Sequence, residues 1–179
     1  MSVTALIVID MLNSYDHEDG DRLAAEAERI AEPLHGLIGR ARERDDVRVL
    51  YVNDNFGDFS ASRQDLIDQA LDGRRPDIVE PILPPPDATF LTKVRHSVFY
   101  GTPLEYVLQR IGAEQLILTG QVTEQCVLYS ALDAYVRHFR IMIPRDAVAC
   151  IDPELGEAAL RMMERNMRAE IVTAAECLC

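Results

Sequence analysis

The stretch Ala5-Leu6-Ile7-Val8-Ile9-Asp10 decides the fold. Apolar residues in succession, the last three β-branched, lead into a carboxylate, and residues 4–9 are expected to form a strand. Similar short runs recur at residues 47–53, 88–93, 115–119, 140–143 and 170–173. Between them lie longer segments of helical period. That alternation predicts an α/β protein, a parallel sheet with helices on both faces.

The first long segment carries Leu23, Ala27, Ile30, Leu34, Leu37 and Ala41 on one face of an amphipathic helix, expected to bend near Pro33. Thr102-Pro103-Leu104-Glu105 reads as a cap, a proline at the first helical position and a reciprocal glutamate. Asp152-Pro153-Glu154 has the same cap and proline and opens a helix through about Arg168. Another helix begins near Thr123, with Val127, Ala131, Ala134 and His138 on one face and Leu128, Leu132 and Tyr135 beside them. So apolar a surface predicts central burial. Residues 53–86, punctuated by Gly57, Gly73, Pro76, Pro81 and Pro84-Pro85-Pro86, read as two loops around a short helix at 62–71. Long loops of this kind often shape sites.

The chain has 179 residues, 48% hydrophobic and 27% charged, with no internal repeat or low-complexity tract, so residues 1–179 are expected to form a single domain. Lys and Arg number 18 against 30 Asp and Glu, a net charge of −12 that disfavours nucleic acid and anionic membrane surfaces as partners. The N-terminal residues lack a basic segment, and no apolar run approaches the ~18 residues that span a bilayer. A soluble cytoplasmic protein is the expectation. Cys126, Cys150, Cys177 and Cys179 are too few and too unevenly spaced for a disulfide scaffold. Cys177 and Cys179 have no second Cys/His pair to complete a metal site, and read as terminal thiols.

In an open parallel sheet, chemistry gathers beyond the carboxyl ends of the strands. Asp10 ends the first apolar run, Lys93 ends Thr89-Phe90-Leu91-Thr92, and Cys126 lies just past Leu116-Ile117-Leu118-Thr119. Singly, these read as a loop cap, a solvated strand end and a small core residue. Together they place an acid, a base and a thiol on one rim. A cysteine in the first turn of a helix, beside an ammonium, is expected to have its pKa lowered from ~8.5 toward neutrality or below. Asp10 could take the thiol proton, Lys93 could hold Asp10 ionised, and the turn Gly120-Gln121-Val122-Thr123 could aim backbone N–H groups at an oxyanion.

These residues resemble the isochorismatase-like cysteine hydrolases over nearly the whole chain. Leu6-Ile7-Val8-Ile9-Asp10-Met11-Leu12-Asn13-Ser14-Tyr15 is similar to the family's first-strand block, and Thr92-Lys93-Val94-Arg95-His96-Ser97-Val98-Phe99 to its lysine block. Gly120-Gln121-Val122-Thr123-Glu124-Gln125-Cys126-Val127 is similar to its nucleophile block. The resemblance implies a three-layer α/β/α sandwich with a six-stranded parallel sheet and a catalytic triad of Asp10, Lys93 and Cys126. It further implies a cis peptide between Gln121 and Val122, and an oxyanion hole from the backbone N–H groups of Val122 and Cys126. It also implies a homo-oligomer, a dimer or higher, whose pockets a neighbouring subunit often completes.

Two departures narrow the chemistry. Nicotinamidases of the family hold a metal with an Asp-x-His motif after the second strand, whereas this chain has Asn53-Asp54-Asn55-Phe56-Gly57, with Phe56 in place of the histidine. No metal and no other cofactor is therefore expected. Isochorismatases proper typically lack the cysteine, so its presence favours acyl chemistry on a small amide, ureido or carbamoyl substrate. Asn13, Tyr15, Phe56 and Phe99 are candidate pocket residues, His96 is read as a surface residue within reach of substrate, and Arg63 and Arg95 are candidates for a substrate carboxylate. An ether hydrolase in which Cys126 is a bystander, and a non-catalytic binding protein, are the competing readings. A receiver lacks its adjacent acids, since Met11-Leu12-Asn13 follows Asp10, and a dinucleotide binder lacks its G-x-G-x-x-G run.

Overall fold

A computed structural model describes residues 3–179. Strands β1 (Val3–Ile9), β2 (Val47–Asp54), β3 (Thr89–Lys93), β4 (Ala113–Gln121), β5 (Arg140–Pro144), β6 (Val148–Ala149) and β7 (Glu170–Val172) form one sheet. Its order is β3-β2-β1-β4-β5-β7, with β6 paired to β4, and every pairing is parallel. The six expected strands are present. The added pair Val148–Ala149 is too short to leave an apolar run that sequence would reveal.

β1 lies at the centre, and its residues Ala5 to Ile9 are buried on both faces, which is why the run lacks polar alternation. On one side Leu6 and Val8 join Leu23, Ala27, Ile30 and Leu34 of helix α1 (Gly20–Arg42). Each large side chain buried there contributes about 2 kcal/mol. Helix α1 continues through Pro33. On the other side Ala5, Ile7 and Ile9 pack with helices α4 (Leu104–Ile111), α5 (Leu128–Val136) and α6 (Pro153–Met167). The result is the expected α/β/α sandwich.

The expected short helix is α2 (Arg63–Leu71), whose Ser62 and Asp65 cap one another reciprocally. A further turn, α3 (Pro76–Val79), and a 3-10 turn at Glu80–Ile82 occupy what the sequence suggests is loop. Proline at the first position of α3 and the second of the 3-10 turn starts them without an apolar period. Asp152 caps α6 as expected, accepting from the backbone N–H groups of Glu154 and Leu155. At α4 the expectation fails. Leu104 is the first helical residue, Thr102 accepts from its N–H at 3.2 Å, and Glu105 pairs with Arg137 at 2.8 Å instead of closing a capping box.

Helix α5 also departs from expectation. Residues Thr123–Val127 form a turn of π-helix, α5 starts only at Leu128, and His138 lies beyond its end in a left-handed conformation. Val127, Ala131 and Ala134 are buried, but Tyr129, Leu132, Tyr135 and Val136 are exposed. An apolar circumference does not distinguish a buried helix from one with an uncovered face.

Candidate active site

Strand register brings the chemistry to one edge. Ile9 pairs with Val52 on one side and Gly120 on the other, while Asp54 pairs with Lys93. Asp10, Lys93 and the turn leading to Cys126 therefore leave the sheet at one level. Gly120 makes this approach possible: its φ is +98°, and a Cβ there would stand 2.1 Å from the Ile9 carbonyl oxygen. The Gln121–Val122 peptide that follows is cis. The fully buried Gln121 side chain donates to the Asp10 carbonyl at 2.7 Å, tying this turn to the end of β1. Asn53 does the same from β2, accepting from the Leu12 N–H at 2.9 Å and donating to its carbonyl at 3.1 Å.

Lys93 is the centre of the cluster. It is 0% exposed, with Nζ 2.9 Å from Asp10 Oδ2, 3.0 Å from Asp54 Oδ2 and 3.7 Å from Cys126 Sγ. Asp10, in a left-handed backbone conformation at φ 53°, also accepts from the Asp54 N–H at 2.7 Å through Oδ1. Burial alone would lower the Lys93 pKa, but Asp10, Cys126 and Asp54 outweigh it and hold the ammonium above its ordinary range. For Asp10 burial wins over Lys93, and its pKa is raised.

The thiol differs from expectation. Burial, reinforced by the Asp10 carboxylate, pushes the Cys126 pKa up to about 12 despite Lys93. Cys126 sits inside the π turn and is 8% exposed, so desolvation exceeds the gain from one ammonium and a helix end. Cys126 is thus held as a thiol beside Asp10. A base that touches the thiol and is itself raised in pKa suits proton transfer on demand.

A cavity of about 380 Å³ opens at Cys126. Of the candidate pocket residues, Asn13 and Phe56 line it and Tyr15 and Phe99 do not. Tyr15 is fully buried, with its hydroxyl 3.4 Å from Gln121 Oε1, and Phe99 packs against Phe139 and under the Arg137 guanidinium. Both are apolar enough to serve the core. His96, read as a surface residue, lines the cavity with Nδ1 4.0 Å from Cys126 Sγ and its ring against Tyr129. Arg63 is turned away, donating to the carbonyls of Pro84, Pro85 and Pro86, and Arg95 does not reach the cavity.

His17, Asp19, Gln125 and Ile151 also line the cavity and went unmarked in the sequence. His17 and Asp19 follow β1, so the rule that picked Asp10 could have found them. Ile151 is brought in by Glu124, whose Oε1 accepts from the N–H groups of Ile151 and Asp152 at 2.9 Å each. Both Asp54 oxygens are engaged, Oδ2 with Lys93 and Oδ1 with the Phe56 N–H at 2.8 Å. Among the described residues no group of three or more His, Cys, Asp or Glu is placed to hold a metal ion, so the donor set does not fit a nicotinamidase-type metal. Among the described residues, likewise, no helix is long and apolar enough to cross a membrane.

A parallel α/β sandwich with a thiol, an acid and a buried ammonium at its carboxyl edge defines a class of hydrolases. The isochorismatase domain family matches residues 4–176, and the chain belongs to that family. YaaI of Bacillus subtilis strain 168, an uncharacterized isochorismatase family protein, is 36% identical over 169 residues, covering 94% of this chain and 93% of its own. Among solved structures, N-carbamoylsarcosine amidase from Thermoplasma acidophilum superposes with a TM-score of 0.74 at 27% identity, covering 99% of both chains. Nicotinamidase PncA from Bacillus subtilis gives a TM-score of 0.74 at 29% identity, covering 95% of this chain and 99% of its own.

Proposed function

We propose that the chain is a cysteine hydrolase that cleaves the C–N bond of a small amide, ureido or carbamoyl compound. The observation that carries this reading is Lys93, fully buried and shared among Asp10, Asp54 and Cys126, three residues that line a cavity. Substrate entry displaces water, Asp10 takes the Sγ proton, and the thiolate attacks the carbonyl carbon. The backbone N–H groups of Val122 and Cys126 receive the oxyanion. The C–N bond breaks, ammonia or a small amine departs with the proton from Asp10, and a thioester remains on Cys126. Asp10 then deprotonates a water that cleaves the thioester, releasing the acid and restoring the thiol.

Lys93 keeps Asp10 close to its thiol and offsets the charge that the pair shares. Relatives that are amidases and nicotinamidases support the bond type. The test is ammonia release from a panel of small amides and carbamoyl compounds by wild type and Cys126→Ala. Release by wild type alone is expected, and full activity in the variant would overturn the thiol mechanism. We also propose that two copies associate through the outer faces of α5 and α6, where Tyr129, Leu132, Tyr135, Val136, Leu155 and Met162 are exposed. At half exposure these side chains offer roughly 600 Å² per copy, near the ~800 Å² of a standard interface. Sedimentation of Leu132→Glu as a monomer beside a wild-type dimer tests it.

A further inference from the structure

Charge within the cavity is one-sided, and we propose that it selects amide substrates without a carboxylate, favouring those that carry a cationic group. This inference rests on the amide hydrolase reading and specifies its substrate class.

Three carboxylates, Asp10, Asp19 and Asp54, line the cavity, and the ammonium set against them is Lys93. Moving the proton between Cys126 and Asp10 leaves the single negative charge of that pair unchanged. When Asp10 is ionised, Lys93 offsets one of Asp10 and Asp54, and the cluster keeps one negative charge whichever of Asp10 and Cys126 holds the shared proton. Asp19 adds a second. It is the N-cap residue of α1, yet its side chain makes no cap hydrogen bond, and it lines the cavity with no cationic partner among the described residues.

The arginines that could reverse this balance are elsewhere. Arg63 is held by three backbone carbonyls and lies 5.6 Å over the Phe90 ring. Among the described residues no arginine lines the cavity, and its remaining titratable groups are His17 and His96. Recognition of a substrate carboxylate in a desolvated pocket calls for an arginine fork or a free ammonium. Here it would meet like charge. A cation would meet Asp19 and the exposed ring of Phe56, an aromatic face that attracts an ammonium. The walls contributed by Leu23 and Ile151 suit a small apolar body.

The experiment reads this preference at the thiol itself, so it does not depend on finding the substrate. Wild-type protein is treated at pH 8, above the range where histidine ordinarily carries charge, with methanethiosulfonates bearing a trimethylammonium, a methyl or a sulfonate group. Mixed-disulfide formation is followed by peptide mass spectrometry at Cys126 and at the exposed Cys179, which reports the field of the whole acidic chain. The expected result is a cation-over-anion rate ratio at Cys126 about tenfold above that at Cys179, shrinking in high salt and in Asp19→Asn. Equal ratios at the two cysteines, or a ratio unmoved by Asp19→Asn, would overturn the proposal. Failure of the amide hydrolase reading appears separately, as absence of ammonia release while the thiol still shows the charge preference.

Discussion

Replacing Lys93 by methionine keeps most of the side-chain volume and removes the charge from a fully buried position. In wild type the ammonium contacts carboxylates at 2.9 and 3.0 Å, and its removal leaves Asp10 and Asp54 facing each other with no counterion. Breaking a buried pair from one side costs about 3–5 kcal/mol. Asp54 is 24% exposed at its side chain and retains some hydration, which places the expectation at the low end, about 3 kcal/mol at pH 7. For a chain of this size that is a fall of roughly 6–12 °C in Tm.

The pH dependence discriminates this account from a simple packing defect. Because the folded pKa of Lys93 is raised, its contribution is complete below the unfolded value of 10.5 and is lost only as pH rises through the folded value. Between pH 4 and 8 the wild-type ammonium is therefore constant. In the variant, the Asp10 pKa, already raised above 3.8, rises further, so the folded state binds more protons than the unfolded state. Stability of Lys93→Met then falls as pH rises, and the gap to wild type is small near pH 4 and widest near pH 8. Urea denaturation of both proteins across that range measures it. A gap that is constant with pH, or wider in acid, would refute the electrostatic reasoning.

Gly120→Ala puts a Cβ against the Ile9 carbonyl at a positive φ, and a loss of about 3 kcal/mol or more, or failure to fold, is expected by thermal denaturation. Ser130 is fully buried, accepts from the Val98 N–H at 3.0 Å and donates to the Cys126 carbonyl at 2.5 Å. Ser130→Ala should lose about 1–3 kcal/mol in chemical denaturation, since it strands a buried amide. In the proposed mechanism the acid limb of kcat/KM falls above the ordinary carboxylate range, because there Asp10 accepts the thiol proton as a carboxylate and its pKa is raised. A limb near pH 3 would remove Asp10 from that role.

Much of this protein is legible one residue at a time. A run such as Ala5 to Ile9 can satisfy its backbone and bury every side chain only inside a sheet covered on both faces. The order of strands and helices, and the rim position of Asp10, Lys93 and Cys126, follow from that local pattern. Helix starts were legible where the cap is local, as at Asp152, and failed at Glu105, whose partner Arg137 lies 32 residues away.

What the sequence could not supply depends on three-dimensional desolvation and register. Local rules predicted a depressed Cys126 pKa, because a helix end and an ammonium are visible in sequence while burial beside Asp10 is not. The same limit hid the uncovered face of α5, the inward turn of His96 and the outward turn of Arg63. Sequence by itself determined six of the strands, the longer helices and the placement of Asp10, Lys93 and Cys126 at strand ends, since those depend on period. Only the tertiary structure decided the direction of their pKa shifts and which charged groups line the cavity, because charge energies depend on distance and on the water excluded between groups far apart in the chain.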